Sequence, residues 1–268
     1  MSRLLRAEVL KLRTVWSTWV ILLVTMGLTG ALGVLVGFAP HRRALAEGLF
    51  PARGTPAWFD DVFSTMAVAI TLSLILGIIS VTGEYRHKTV TPTLLAEPRR
   101  GHTVAAKLVV SAGGGLLVGL AGCVMGLLLG LGLVAGGFGN TSSMLTEYRH
   151  VFPGILAAAT LYAVYGLGLG AMLKNQIVAL VAGLGFEVVV TPIFVGMLPG
   201  VGRYFPSQSA AALESVAAAA RRGTRAFSAF GSGTSHLLTW WEGALMLLAY
   251  GVVLSLAGTL TTLRADVT

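Results

Sequence analysis

Six long apolar runs alternate with short polar segments along the chain, at about 16–38, 62–82, 104–136, 151–173, 177–198 and 240–263. Each reaches the roughly 18–20 residues that a helix needs to cross a bilayer. The pattern predicts an all-α membrane protein of six transmembrane helices, read as one transmembrane domain over residues 1–268. Two amphipathic segments accompany the spans. In residues 1–15, Leu5, Val9, Leu12 and Trp16 share one face at helical spacing, with Arg6 and Arg13 flanking it. That is the pattern of a helix lying along the membrane surface, or more simply of a basic flank that orients the first span. Between spans five and six, over 199–239, Pro206 and Ser207 open a run of strong helix formers, Arg221 and Arg222 close it and Gly223 stops it. Its apolarity predicts a helix resting on, or dipping into, the outer leaflet.

The segment Gly83–Lys107 concentrates the charge of a charge-poor chain: Glu84, Arg86, His87, Lys88, Glu97, Arg99, Arg100, His102 and Lys107. Within it Thr91 suits an N-cap and Pro92 the first helical position. Leu94 and Leu95 follow as an apolar bump, and Pro98 ends the helix. One or two helical turns, held just outside the membrane, are expected there to press into another protein. The bland alternative is a solvated, orientation-setting loop.

Composition reinforces the membrane reading. The chain is 55% hydrophobic and 11% charged, with a mean hydropathy of +0.81. Its net charge of +8 argues for lipid rather than nucleic acid, because the basic residues sit in short loops beside the spans. Threading six spans places eleven Lys and Arg on the side of both termini and eight on the other. The former segments are shorter in total, so their density of positive charge is higher and both termini are expected in the cytoplasm. The N-terminus does not read as a cleavable signal, since its apolar run is too long and no A-x-A site closes it. The one cysteine, Cys123, lies inside a span, so neither an intrachain disulfide nor a Cys/His metal site is expected.

Glu187 is the carboxylate nearest the middle of a span, and a charge there costs on the order of 3 kcal/mol on insertion scales. Three roles are open: a structural pair with a neighbouring helix, part of a translocation path, or a proton relay. Thr191-Pro192 just beyond it predicts a kink that releases a backbone carbonyl. Enzymatic chemistry is poorly supported: Ser235 and His236 precede the last span without a nucleophile motif, and no H-E-x-x-H occurs. Nor does any G-x-x-x-x-G-K-[ST], so ATP phosphates would have to be held by a partner. The glycines of the third span, among them Gly115, Gly119, Gly122, Gly126 and Gly130, allow close helix approach, as do Gly166 and Gly170 in the fourth. They serve packing within the bundle or, alternatively, a subunit interface.

Four stretches resemble ABC-2-type permeases, the membrane subunits of type V ATP-driven exporters. LRAEVLKLRTVWSTW is similar to the family's amphipathic elbow. GEYRHKTVTPTLLAEPRR with Lys107 resembles its E-x-R-x-x-T … P-x-R … K loop after the second span. RYFPSQSAAAL resembles its Pro-Ser motif after the fifth, and TWWEGALMLLAYGVVLSLAGTLTTLRAD its last span. Lys88 stands where the family commonly has glycine, and Ala265 where a second arginine is usual.

The resemblance implies two permease chains, identical or not, bound to two cytoplasmic ATPase subunits that carry ATP and Mg, with no cofactor in this chain. It implies an elbow helix over 1–15 with Glu8 and Lys11 supporting the docking, and a coupling loop over 83–103. The coupling residues would be Glu84, Tyr85, Arg86 and Thr89, the helix Thr93–Glu97 with Leu94 and Leu95, and Arg99. A bacterial inner membrane and a hydrophobic or amphipathic cargo are the matching expectations, with Glu187 a candidate for the path. Two other readings stand beside it. One is an ABC-type complex that serves immunity or transmits force without full transport. The other is an ion-coupled secondary transporter using Glu187, disfavoured because no repeated half carries a second broken helix.

Overall fold

The computed structural model describes residues 2–38, 53–87, 100–140, 144, 148–149, 151–218 and 238–265. Every long element among them is a helix: α1 (Ser2–Thr14), α2 (Trp16–Phe38), α3 (Pro56–Arg86), α4 (Arg100–Ala135), α5 (Val151–Leu173), α6 (Gln176–Met197), α7 (Pro206–Ala218) and α8 (Trp240–Ala265). Six of them, α2 to α6 and α8, are long and apolar enough to cross a membrane.

Helices that meet lipid need not hide their large apolar side chains, and the burial pattern follows. On α2 the buried face carries Thr18, Thr25, Thr29, Gly30 and Gly33, whereas Trp19, Leu23 and Leu35 are exposed. Such a distribution is unstable in water and suited to a bilayer, where close contact between small residues holds helices together.

At the centre, α3 and α5 are the two most buried spans. A Cβ placed on Gly77 of α3 would collide with the Ala163 carbonyl of α5 and lie 2.8 Å from the Leu167 nitrogen. Gly166 of α5 abuts the Leu74 carbonyl in the same way. The two backbones therefore touch, and no side chain fits between them. The α4 glycines line two faces: at Gly115 a Cβ would lie 2.5 Å from the Ala159 carbonyl of α5, and at Gly122 2.7 Å from the Ala69 Cβ of α3. Both contacts are inside one chain, which favours bundle packing as their role. The Ser111 hydroxyl adds a buried 2.9 Å hydrogen bond to the Ala163 carbonyl.

The element boundaries differ from expectation in two places. The second span starts at Pro56 rather than near 62, because Thr55 caps it, its hydroxyl accepting from the Trp58 N–H, and Pro56 needs no donor at the first position. A 3₁₀ turn at Thr65–Ala67 joins this added segment to the rest of α3. The same helix runs on to Arg86, so Glu84, Tyr85 and Arg86 belong to its last turn and not to a loop beginning at 83. One face of α7 packs on protein: Ser209, Ala210, Ala212 and Leu213 are buried. Gly243 of α8 allows this, since a Cβ there would sit 2.6 Å from the Ser209 carbonyl.

Replacing Gly77 by alanine is expected to destabilise the bundle by about 1–3 kcal/mol through overpacking. Gly113→Ala, at a helical position with open space around it, should be neutral or slightly stabilising. Thermal unfolding of the two purified variants in detergent separates these outcomes.

Candidate functional site: an ionic ring at one end of the bundle

α1 turns a polar face inward. Of the apolar stripe expected on it, Leu12 packs against the bundle, while Val9 and Trp16 stay exposed. Glu8 and Lys11, one helical turn apart, point instead toward the ends of α3 and α4. Lys11 Nζ lies 2.9 Å from Glu8 Oε1 and 2.9 Å from Glu84 Oε1. Lys107 Nζ lies 3.3 Å from Glu8 Oε1 and bonds Glu84 Oε1 directly. Each ammonium bridges both carboxylates, so the four groups close into a ring of alternating charge.

Three members, Glu8, Glu84 and Lys107, keep only 11–13% of their side-chain surface exposed, whereas Lys11 keeps 44%. Ionised groups this shielded persist only when paired and hydrogen-bonded. Burial opposes the charge on Lys11, but the hydrogen bonds and charges of Glu84 and Glu8 outweigh it and hold the ammonium above its usual range.

Sequence separation hides this site, for its contacts join positions 73 and 99 residues apart. Glu8, Lys11 and Glu84 are among the residues singled out by resemblance, and the fold brings them together. Lys107, which entered only as the end of the loop pattern, is the second bridging cation. Tyr85 is half-buried against Val81, Leu167 and Ala171, and Arg86 is exposed. Thr89, Thr93, Leu94, Leu95, Glu97 and Arg99 lie outside the described residues.

Beneath the ring is a cleft of about 590 Å³. Its charged rim includes the ring and Arg86, and Leu12, Leu76, Ile79, Val110 and Leu167 form an apolar floor.

A second polar feature sits deeper, on α6. A π-turn at Phe186–Val190 precedes Pro192, which cannot donate to the ladder. The Thr191 hydroxyl donates to the Phe186 carbonyl at 3.1 Å, as does the Thr191 N–H. Glu187, on this turn, sets its carboxylate beside the Tyr162 hydroxyl, and its Oε1 is buried without a hydrogen-bond partner among the described residues. Tyr162 and Tyr165 of α5 and Tyr250 of α8 continue from it as edge-on rings, 5.6 and 6.2 Å apart. The i, i+3 spacing of Tyr162 and Tyr165 in an apolar span was the available signal for these partners. Among the described residues no cluster of His, Cys, Asp and Glu could hold a metal ion.

No protein-family model matches the chain, and no curated protein matches it.

Breaking the ring by Glu84→Gln or Lys107→Met is expected to cost up to about 3 kcal/mol, since a buried charge loses a partner. The effect should concentrate on the docking of α1, read as a longer spin-label distance between α1 and α4. The pH dependence has a definite sign. Lys11 binds its proton more tightly folded than unfolded, so its contribution is complete below the ordinary lysine value of 10.5 and fades as the pH rises through the higher folded value. Burial opposes the charge on Glu84, but Lys107 and Lys11 outweigh it and hold the carboxylate below its usual range, so its contribution fades in acid. The same spin-label distance should therefore stay constant through neutral pH and lengthen in strong acid and in strong alkali.

Proposed function

We propose that this chain is the permease subunit of an ATP-driven exporter of the ABC-2, type V kind, without a catalytic site of its own. The observation that carries the reading is the ionic ring. It draws residues from two of the resembling stretches, the opening segment and the two flanks of the loop, into direct contact. In this reading a separate cytoplasmic ATPase binds ATP and Mg and grips the segment 88–99 through Leu94 and Leu95. Glu84 and Lys107 bracket that segment, so a displacement of it is delivered to α3, α4 and α1 together. Glycine contacts pass it from α3 to α5. A second permease chain, identical or not, completes the path, and the cargo is hydrophobic or amphipathic. The chain resides in a bacterial inner membrane with both termini in the cytoplasm. The same assembly could instead serve immunity or transmit force without moving a cargo.

Leu94→Asp should abolish association with the ATPase and leave membrane insertion intact. A gentle detergent pull-down with mass spectrometry reads both, and an intact, active complex would overturn the assignment.

The π-turn and the buried Oε1 of Glu187 favour one other reading, an ion-coupled transporter. For it, Glu187→Gln should abolish transport by the chain alone in proteoliposomes. In the exporter reading the purified chain alone transports nothing.

A further inference from the structure

We propose that the cleft under the ionic ring is a phospholipid site, taking a phosphate headgroup at its rim and one acyl chain along its floor. The inference does not rest on the exporter reading and stands whether or not an ATPase binds.

Charge comes first. The cleft is lined by Glu8 and Glu84 against Lys11, Arg86 and Lys107, a surplus of one positive charge before His87 is counted. An ammonium carries three donors, and the two carboxylates engage two of those on Lys11. With 44% of its side chain exposed, Lys11 can offer the third to an incoming anion. Arg86 is exposed at the same rim and presents a planar fork suited to phosphate. Glu8 and Glu84, by contrast, are shielded and already bound to lysines, so they repel an anion less than their number suggests.

Shape comes second. Leu76 and Arg86 both line the cleft and are separated by ten residues of α3, about 15 Å of helix rise. Along α3 the lining therefore passes from Arg86 and Glu84 at one end, through Ser80, to Leu76 at the other, a length that suits an acyl chain rather than a compact solute. Its walls come from the starts of α2 and α6, through Val15, Ser17, Thr18 and Gln176. The residues beside those walls, Trp16, Trp19 and Ile177, are exposed. A chain too long for about 590 Å³ can continue over them into the surrounding bilayer.

The test uses the full chain in detergent and native mass spectrometry, with phosphatidylglycerol as the probe and glycerol phosphate as the headgroup alone. One retained lipid is expected for the wild type and for Leu35→Trp, a bulky change on an exposed face away from the cleft. Ser80→Trp, which fills the cleft, should lower retention at least tenfold. Arg86→Ala, an exposed position that leaves the packing alone, should lower it several-fold and keeps the test decisive if Ser80→Trp fails to fold. Glycerol phosphate should not be retained. Equal lipid retention in wild type, Ser80→Trp and Arg86→Ala would overturn the proposal, as would a wild type that holds no lipid. Retention of glycerol phosphate as tight as that of the lipid would overturn the acyl-chain assignment.

Discussion

Inside a bilayer there is no water to drive helices together, so contact must come from how closely their backbones approach. The α3–α5 pair sets that approach. Gly77 and Gly166 bring each helix onto the other's carbonyls, and Gly170 continues the line against Ile78. α4 then packs on both through Gly115 and Gly122, and α8 reaches α5 through Gly168 and Gly251. The periphery is looser: α6 buries 17% of its span, against 67% for α5. The molecule is a tight two-helix axis with progressively freer helices around it.

Polar contacts follow the same logic of scarcity. Serine and threonine hydroxyls on the spans mostly return to carbonyls of their own helix, as Ser73 does to Ala69 and Thr82 to Ile78. Long-range polar contacts are correspondingly informative. At one end of the bundle the ring of Glu8, Lys11, Glu84 and Lys107 fixes α1 to α3 and α4. On α3 and beside it, the Tyr148 hydroxyl lies within hydrogen-bond distance of the Pro56 carbonyl and of Asp60. Beside that contact, Trp58, Phe59 and Phe63 are buried, with the Tyr148 ring 4.6 Å from Phe63. One region is held by ions at the rim and the other by stacked rings, so each resists a different perturbation.

The spans were legible because length and apolarity are properties of single segments. Their limits were less so. The second span was placed from about 62, although Thr55-Pro56 carries a capping signal and Trp58, Phe59 and Phe63 extend the apolar segment across Asp60 and Asp61. Glu84 to Arg86 looked like loop because they are charged, yet Glu84 is helical and matched by two lysines from elsewhere. The members of the ionic ring were singled out through the resemblance of two stretches, but their meeting is a tertiary fact that no spacing along the chain encodes. The neighbours of Glu187 were illegible for the same reason. Pro192 announced a disturbance in α6; the extra residue that absorbs it did not announce itself.

That extra residue has a geometric consequence. Successive α-helical residues are about 100° apart around the axis, so a π-turn shifts the phase of everything beyond it by one such step. In α6 the shift falls between Gly185 and Thr191 and decides which way Ile193, Phe194 and Met197 face. All three are exposed. Absorbing the turn into regular α-helix would swing them around the axis. The second half of α6 is thus indexed separately from its first half, like a dial whose two rings share one spindle.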